Sequence, residues 1–252
     1  MDSGLYAAYT GLMARTQALD TAANNLANVG TNGFRAQRDH FAGVIASSLD
    51  QQVESGSQVG QSVNGFSVLG GTSLDLGQGQ LTSTGNPLDL AIHGSGFFAV
   101  QTANGVRYTR DGQFSRSNTG VLQDSHNEPV LDSNLKPITI PTGDIHIAAD
   151  GNISVAMPDG SAIVGKLGVF DFTDKSVLSA EGSNQFSSAV GTKPVLSTAT
   201  LQQGAIEAGN EDAVHGTMQL VLVQRQAEMM QKALSVFNNE FDKTATEDLP
   251  RV

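Results

Sequence analysis

The stretch DLAIHGSGFFAVQTANGVRYTRDG, residues 89–112, consists of short apolar runs separated by turn signals. Gly94-Ser95-Gly96 divides the first run from the second, Phe97 to Val100. Asn104-Gly105 then precedes a third run, Val106 to Arg110, and Asn-Gly is the dipeptide most typical of a tight β-hairpin. The stretch therefore predicts consecutive antiparallel strands.

The same pattern continues on the C-terminal side of this stretch. Short apolar runs recur to about residue 200, and Asp150-Gly151 and Asp159-Gly160 supply further turns. Short strands with frequent turns are typical of an antiparallel sandwich or rolled sheet. Residues 85–200 are therefore predicted to form a central antiparallel β domain.

Both ends of the chain have helical periodicity instead. Near the N-terminus, Leu5, Leu12, Leu19 and Leu26 repeat at a spacing of seven, which predicts a helix over residues 3–28. From residue 212 to 243 a second helix is predicted, and its apolar positions alternate spacings of three and four: Leu220, Val223, Ala227, Met230, Leu234, Phe237 and Phe241. Heptad seams favour pairing of the two helices as a coiled coil, although an apolar stripe can also pack only on its own domain's core.

The predicted fold class is α+β, a mainly β body with helical ends. We divide the chain into an N-terminal helical assembly segment (1–45), an extended connector (46–84), the central β domain (85–200), and a connector with the C-terminal coiled-coil helix (201–252). Residues 34–45, with Phe34, Phe41 and Ile45 on one side, are expected to form a second short helix.

Composition limits the function classes. The net charge of −11 and the pI near 4.7 disfavour a nucleic-acid-binding protein, which needs a basic surface to neutralise phosphates. With no Cys, disulfides and thiolate metal sites are excluded.

No apolar run approaches the ~20 residues of a membrane span, so no direct membrane insertion is expected. The first charge is Asp2 and the first basic residue is Arg15, with no apolar run after it, so we expect no cleaved signal peptide.

No motif predicts catalysis, and we expect no cofactor. Residues 94–99, GSGFFA, fit the loose dinucleotide pattern G-x-G-x-x-A, but a strand rather than a helix is predicted to follow, which favours a structural turn. The histidines lack the paired spacing of metal ligands: His40, His93, His126, His146 and His215. We therefore expect no catalytic, cofactor-binding or metal-ligating residues.

Three segments carry a family resemblance. ALDTAANNLANVGTNGFRAQ (18–37) resembles the N-terminal signature of the bacterial flagellar rod and hook family. PLDLAIHGSGFFAV (87–100), followed by YTRDGQFSRSNTGVLQD (108–124), is similar to the family's central β signature. QQGAIEAGN (202–210) resembles its C-terminal signature. At 252 residues the length is similar to that of the proximal and distal rod subunits, and the C-terminal helix favours the proximal type.

The resemblance implies a structural subunit of the flagellar rod, located in the periplasm and not an enzyme. Its partners would be copies of itself, other rod subunits and the flagellar type III export apparatus, through which it would leave the cell without signal cleavage. We expect the following assembly residues: Leu5, Leu12, Leu19, Asn24, Asn25, Leu26, Asn28, Phe34, Leu220, Val223, Met230, Leu234, Phe237 and Phe241. The three asparagines either end the helix as caps or fix register against neighbouring backbones.

Two alternatives belong to other classes. A β-domain binding module or adhesin with helical oligomerisation arms would need an aromatic platform, which is hard to build with no Trp and three Tyr. A peptidoglycan hydrolase would need a close carboxylate pair or a metal triad, and no motif supports either.

Overall fold

A computed structural model describes residues 2–43, 67–157 and 160–247. The chain divides into two compact units, each assembled from separate stretches of sequence. The first comprises residues 1–27, 37–73 and 213–252, and the second comprises residues 28–36 and 74–212.

Two helices lie at the ends of the chain, α1 at Asp2–Ala27 and α2 at Ala213–Glu247. Between them the described structure is mainly β, apart from a 3₁₀ turn at Lys175–Val177. The strands are β1 Gln37–Gly43, β2 Ser67–Leu74, β3 Leu81–Ser83, β4 Leu90–His93, β5 Phe97–Thr102, β6 Gly105–Thr109, β7 Ser115–Arg116, β8 Leu122–Gln123, β9 Asp144–Ile147, β10 Asn152–Met157, β11 Gly160–Lys166, β12 Val169–Asp171, β13 Leu178–Gly182, β14 Gln185–Ser188, β15 Val195–Leu196, β16 Thr200–Gln203 and β17 Ala205–Glu207. The α+β class is confirmed, and both terminal helices form where they were predicted.

In the first unit, α1 packs against α2. The covered side of α1 is formed mainly by small residues, Gly11, Ala14, Ala18 and Ala22, with the buried Thr21 and Asn25 beside them. The half-buried Leu12, Leu19 and Leu26 lie beside this side rather than at its centre, about a quarter of a turn around the helix from it. Small side chains let the two helix backbones approach each other closely.

Strand β1 replaces the short helix expected over residues 34–45, and that expectation was wrong for residues 37–43. β1 pairs with β2, and the main chain of Gln37 is held by the side chain of Asn25 on α1. A helix of this length is marginal by itself, so the partner strand decides the conformation. Residues 44–66, most of the expected connector, lie outside the described residues.

The second unit is built on a six-stranded sheet of order β13-β14-β6-β5-β12-β15 and a three-stranded sheet of order β11-β10-β9. The paired strands are antiparallel, and the predicted Asn104-Gly105 hairpin joins β5 to β6. β5 is buried on both faces: Phe98 and Val100 point into one core cluster, Phe97 and Ala99 into another. The strongest apolar run of the sequence therefore lies at the centre of the unit.

Candidate functional site

A buried ion-pair cluster lies within the second unit. One carboxylate oxygen of Glu207 accepts a hydrogen bond from Arg35 Nη2 at 2.5 Å, and the other accepts one from Arg110 Nη1 at 2.8 Å. The side chains of Arg35 and Glu207 are 0% exposed, and that of Arg110 is 4% exposed. One carboxylate thus holds two guanidinium groups away from water, and we call these three residues the Glu207 clasp.

The backbone supplies further partners to the clasp. Arg110 Nη2 donates to the carbonyl of Gly94 at 2.6 Å, and Gly79 N donates to Glu207 Oε1 at 2.7 Å. Burial lowers the pKa of Arg110 from its ordinary value, while the charge of Glu207 opposes that shift. Glu207 therefore keeps a desolvated guanidinium charged, as a buried cation requires.

The residues beside the clasp join the same segments through the main chain. Gly33 N donates to the carbonyl of Glu207 at 2.6 Å, and Asn210 Oδ1 accepts from Ala36 N at 2.8 Å. Asn210 Nδ2 donates to the carbonyls of Asp75 and Gly77 at 2.7 and 3.1 Å. The segments 33–36, 75–79 and 207–210 are therefore bound together at one point of the second unit.

Sequence reasoning missed the clasp. Its three members lie one in each of the signature segments, 18–37, 108–124 and 202–210, and none of them is among the expected assembly residues, which include only the adjacent Phe34. The available signal was Glu207, the single charged residue of its segment, whereas the other two segments each carry more than one charge. A single sequence does not show that the charges of the clasp, 97 and 172 residues apart, meet.

Asn25 is used inside its own chain. Its Nδ2 donates to the carbonyl of Gln37 at 2.8 Å, and its Oδ1 accepts from Gln37 N at 2.9 Å. The side chain is buried. Both polar atoms of its amide therefore bind the main chain of Gln37 in the same chain. Asn24 is exposed, and Asn28 Oδ1 accepts from the hydroxyl of Thr31 at 3.2 Å.

The expected assembly residues on the helices flank or form the covered sides. Leu12, Leu19 and Leu26 are half-buried on α1. On α2 the predicted seam is the covered side: Leu220, Val223 and Met230 are half-buried, and Ala227 and Leu234 are buried. The side chains of Leu5, Phe237 and Phe241 lie outside what the structure describes.

The opposite side of α2 is also apolar. Its exposed apolar residues are Val214, Met218, Val221, Leu222, Met229 and Val236, and we call them, together with the exposed cations Arg225 and Lys232, the outer face of α2. Leu222, Met229 and Val236 each follow a covered residue by two positions, which is about 200° around a helix. The outer face of α1 comprises Tyr9, Met13, Thr16, Asp20, Ala23 and Ala27, all exposed.

A groove of about 540 Å³ lies in the second unit, beside strand β15. Its lining includes His93, Ser95, Asp171 and Ser197, and its aromatic member, Phe172, is buried. A buried ring offers no platform for stacking a sugar, so this groove does not support the adhesin alternative. Among the described residues, no group of His, Asp or Glu side chains is arranged to hold a metal ion.

Neither α1 nor α2, over the residues that the structure describes, is long and apolar enough to span a bilayer.

Comparison with known proteins gives the family. The family described as "Flagella basal body rod protein" matches residues 5–35, and the "Flagellar hook protein FlgE/F/G D1 domain" matches residues 91–155. The chain is similar to the flagellar basal-body rod protein FlgF of Caulobacter vibrioides, with 32% identity over 255 residues and 100% of both chains covered. It is also similar to FlgF of Mesorhizobium japonicum, with 33% identity over 229 residues and 89% of each chain covered. With FlgG of Buchnera aphidicola subsp. Acyrthosiphon pisum it shares 33% identity over 264 residues, covering 96% of this chain and 98% of that one. On these grounds the chain belongs to the flagellar basal-body rod protein family.

Proposed function

We propose that this chain is an FlgF-type subunit of the flagellar rod, and that copies assemble helically through α1 and α2 as part of the torque-transmitting driveshaft. The likeness to the FlgF protein of Caulobacter vibrioides runs from end to end of both chains, which supports the FlgF type. The relatives are described as basal-body rod proteins, so we expect a structural role and no catalysis.

The observation that carries this proposal is the outer face of α2. Met218, Leu222 and Met229 are 59%, 57% and 62% exposed, although the opposite side of the same helix is covered by α1. Full burial of a Leu or Met side chain contributes about 1.5–3 kcal/mol relative to leaving it exposed. A neighbouring helix that covered this face would therefore stabilise an assembly.

The covered sides of α1 and α2 support a coiled-coil pairing within each subunit. Residues 220, 223, 227, 230 and 234 on α2 follow the alternating spacing of a heptad seam, and their burial matches that spacing. With one side of α2 given to α1 and the other to a neighbour, each subunit would be linked to the next through a continuous layer of helices.

Transmission of torque needs contacts that do not slip. Exposed ion pairs contribute only about 0–1 kcal/mol each, so packed apolar helices suit this role better. The low charge content of the chain, 15%, agrees with that design. The Glu207 clasp would add rigidity in the second unit by holding three segments together.

The partners and the location follow from the same proposal. We infer that the subunit contacts copies of itself and other rod subunits in the periplasm. We also infer export through the flagellar type III apparatus without signal cleavage, with no nucleic acid bound and no membrane insertion. A chain without Cys suits this route, because it folds in an oxidising compartment with no risk of wrong disulfides.

Complementation tests the proposal. The gene for this chain is deleted from the cells that carry it, and a tagged copy is supplied on a plasmid. Basal bodies are then isolated and probed for the tagged chain. We expect motility to return and the tagged chain to co-purify with the basal bodies. Motile deletion cells, or basal bodies that lack the tagged chain, would overturn the rod assignment.

The FlgF type is tested separately, in Caulobacter vibrioides strains that lack either FlgF or FlgG. Restoration of motility only in the strain without FlgF is the expected result. Restoration only in the strain without FlgG would reassign the chain to the other type.

A further inference from the structure

The outer faces of α1 and α2 match each other in spacing and in charge. The positions on α1 are 9, 13, 16, 20, 23 and 27, and those on α2 are 218, 222, 225, 229, 232 and 236. Resting on the proposed function, we propose that the outer face of α2 docks, antiparallel, on the outer face of α1 of a second copy, with Asp20 opposite Arg225.

The direction follows from the chain segments to which the two helices are joined. Within the second unit, a Cβ on Gly209 would lie 3.1 Å from the carbonyl oxygen of Val29 and 3.4 Å from that of Asn28, so residues 28–29 and 209 are neighbours. α1 ends at Ala27, one residue before this pair of neighbours, and α2 begins at Ala213, four residues after it. Because α1 ends where α2 begins and the two helices pack along each other, they run antiparallel. Copies that repeat in one orientation keep this relation, so α2 also runs antiparallel to α1 of the next copy.

The register follows from the spacing. With Asp20 opposite Arg225, every outer position of α1 meets an outer position of α2. The facing pairs are Tyr9 with Val236, Met13 with Lys232, Thr16 with Met229, Asp20 with Arg225, Ala23 with Leu222, and Ala27 with Met218. Near the end of α1 the residues are small where those of α2 are large, which lets the side chains interdigitate.

The charges and the end of α1 together favour this register. Lys232 is a second cation on the outer face of α2. With Asp20 opposite Lys232 instead, Leu222 and Met218 would face positions 30 and 34, beyond the end of α1 at Ala27. Arg225 lies among the apolar residues of the outer face of α2, and Asp20 is the one carboxylate of the outer face of α1. Neither side chain forms an ion pair within residues 2–43, 67–157 and 160–247. Covering an unpaired guanidinium with an apolar surface is costly, so the covering surface must carry a carboxylate at this position.

Cross-linking tests the register directly, because the chain has no Cys of its own. Ala23→Cys and Leu222→Cys are placed in two separate copies of the full chain and expressed together in the deletion cells, and their basal bodies are isolated and oxidised. The expected product is a dimer of one copy of each variant. A parallel arrangement would instead bring Ala23 opposite Glu228, so Ala23→Cys with Glu228→Cys is the control and should not cross-link.

Charge reversal tests the same contact without a thiol. Asp20→Lys and Arg225→Glu should each reduce the amount of the chain found in basal bodies by about fivefold. The double variant restores opposite charges at the contact and should return this amount to the parent level. Cross-linking only in the Glu228 control, or a double variant as poor as the single ones, would overturn the docking while leaving the rod assignment intact. Absence of the Cys-free parent chain from basal bodies would overturn the rod assignment, and the docking with it.

Discussion

Arg35 and Glu207 lie 172 residues apart in the chain and form an ion pair of 2.5 Å with both side chains fully buried. The end of the N-terminal signature is therefore part of the core of the second unit and not a simple linker after α1. Arg110, from the central signature, completes the clasp through the other carboxylate oxygen. The three signature segments of the chain thus depend on one another for their conformation.

Removing the clasp carboxylate should be strongly destabilising. Glu207→Gln would leave two buried guanidinium groups without a counter-charge, and breaking a buried pair in this way costs about 3–5 kcal/mol. Chemical denaturation measures the change in the free energy of unfolding. Glu181→Gln is the matched control: its partner is Arg107 at 2.6 Å, but its side chain is 43% exposed, so the loss of stability should be much smaller than for Glu207→Gln. An equal loss in the free energy of unfolding for the two variants would show that the buried clasp stabilises the chain no more than an exposed ion pair does.

Gly33 should tolerate no side chain. Its φ of +68° is in the left-handed region, and a Cβ would collide with the backbone of Arg110 and Asp111. Gly85 has a similar φ of +75° with no atom within 4 Å of the added Cβ, so Gly85→Ala measures backbone strain alone, about 1–2 kcal/mol. Gly33→Ala should cost about 1–3 kcal/mol more than Gly85→Ala because of overpacking. Chemical denaturation measures both variants. The same midpoint for Gly33→Ala and Gly85→Ala would contradict the close approach of Gly33 to the backbone of Arg110 and Asp111.

Asp111 should make stability depend on pH. Burial raises the pKa of this half-buried carboxyl above its ordinary 3.8, although hydrogen bonds from Gln113 N and the Ser125 hydroxyl oppose the shift. Between 3.8 and the raised pKa the folded chain holds this proton more tightly than the unfolded chain. Raising the pH through that window therefore lowers the free energy of unfolding, and above it the loss is complete.

The variant Asp111→Asn lacks this titration. Its stability relative to the parent chain should rise as the pH increases from about 3.8, then become constant above the raised pKa. Urea denaturation of both chains across this range measures the difference, while carboxylates common to both cancel. A difference that grows as the pH falls would mean that the pKa is lowered and not raised.

Asn25 should matter for the stability of the first unit. Asn25→Ala removes two hydrogen bonds to the main chain of Gln37 at a buried site, which should cost about 1–3 kcal/mol. Asn24→Ala, one position along and exposed, should change the free energy of unfolding by less than about 0.5 kcal/mol. Hydrogen exchange of the Gln37 amide gives a local readout: it should become faster in Asn25→Ala only. Unchanged exchange at Gln37 would exclude the proposed role.

Local patterns predicted the local structure. The heptad series predicted α1 and α2 to within a few residues, and Asn104-Gly105 predicted the hairpin between β5 and β6, because both signals depend on neighbours in sequence. Strand β1 was mistaken for a helix because its conformation depends on β2, about thirty residues later, and on Asn25. The Glu207 clasp was missed for the same reason, since nothing local shows which distant charge a buried arginine meets.

The covered side of α1 could not be predicted from the large apolar residues. Leucines at a spacing of seven marked the helix correctly, but its covered side is formed mainly by Gly11, Ala14, Ala18 and Ala22. Small residues carry little hydrophobicity, so a search for large apolar residues passes over them.

Incorporation of two matched variants into basal bodies tests most directly whether the rod assembles through its helices. Leu222→Asp places a charge on the outer face of α2, at a residue that is 57% exposed, and Val190→Asp places one at a fully exposed apolar residue of the second unit. Both variants should fold like the parent chain by circular dichroism. We expect Val190→Asp to be found in isolated basal bodies at the parent level and Leu222→Asp to be absent from them. Basal bodies that contain Leu222→Asp at the parent level would contradict assembly through this face.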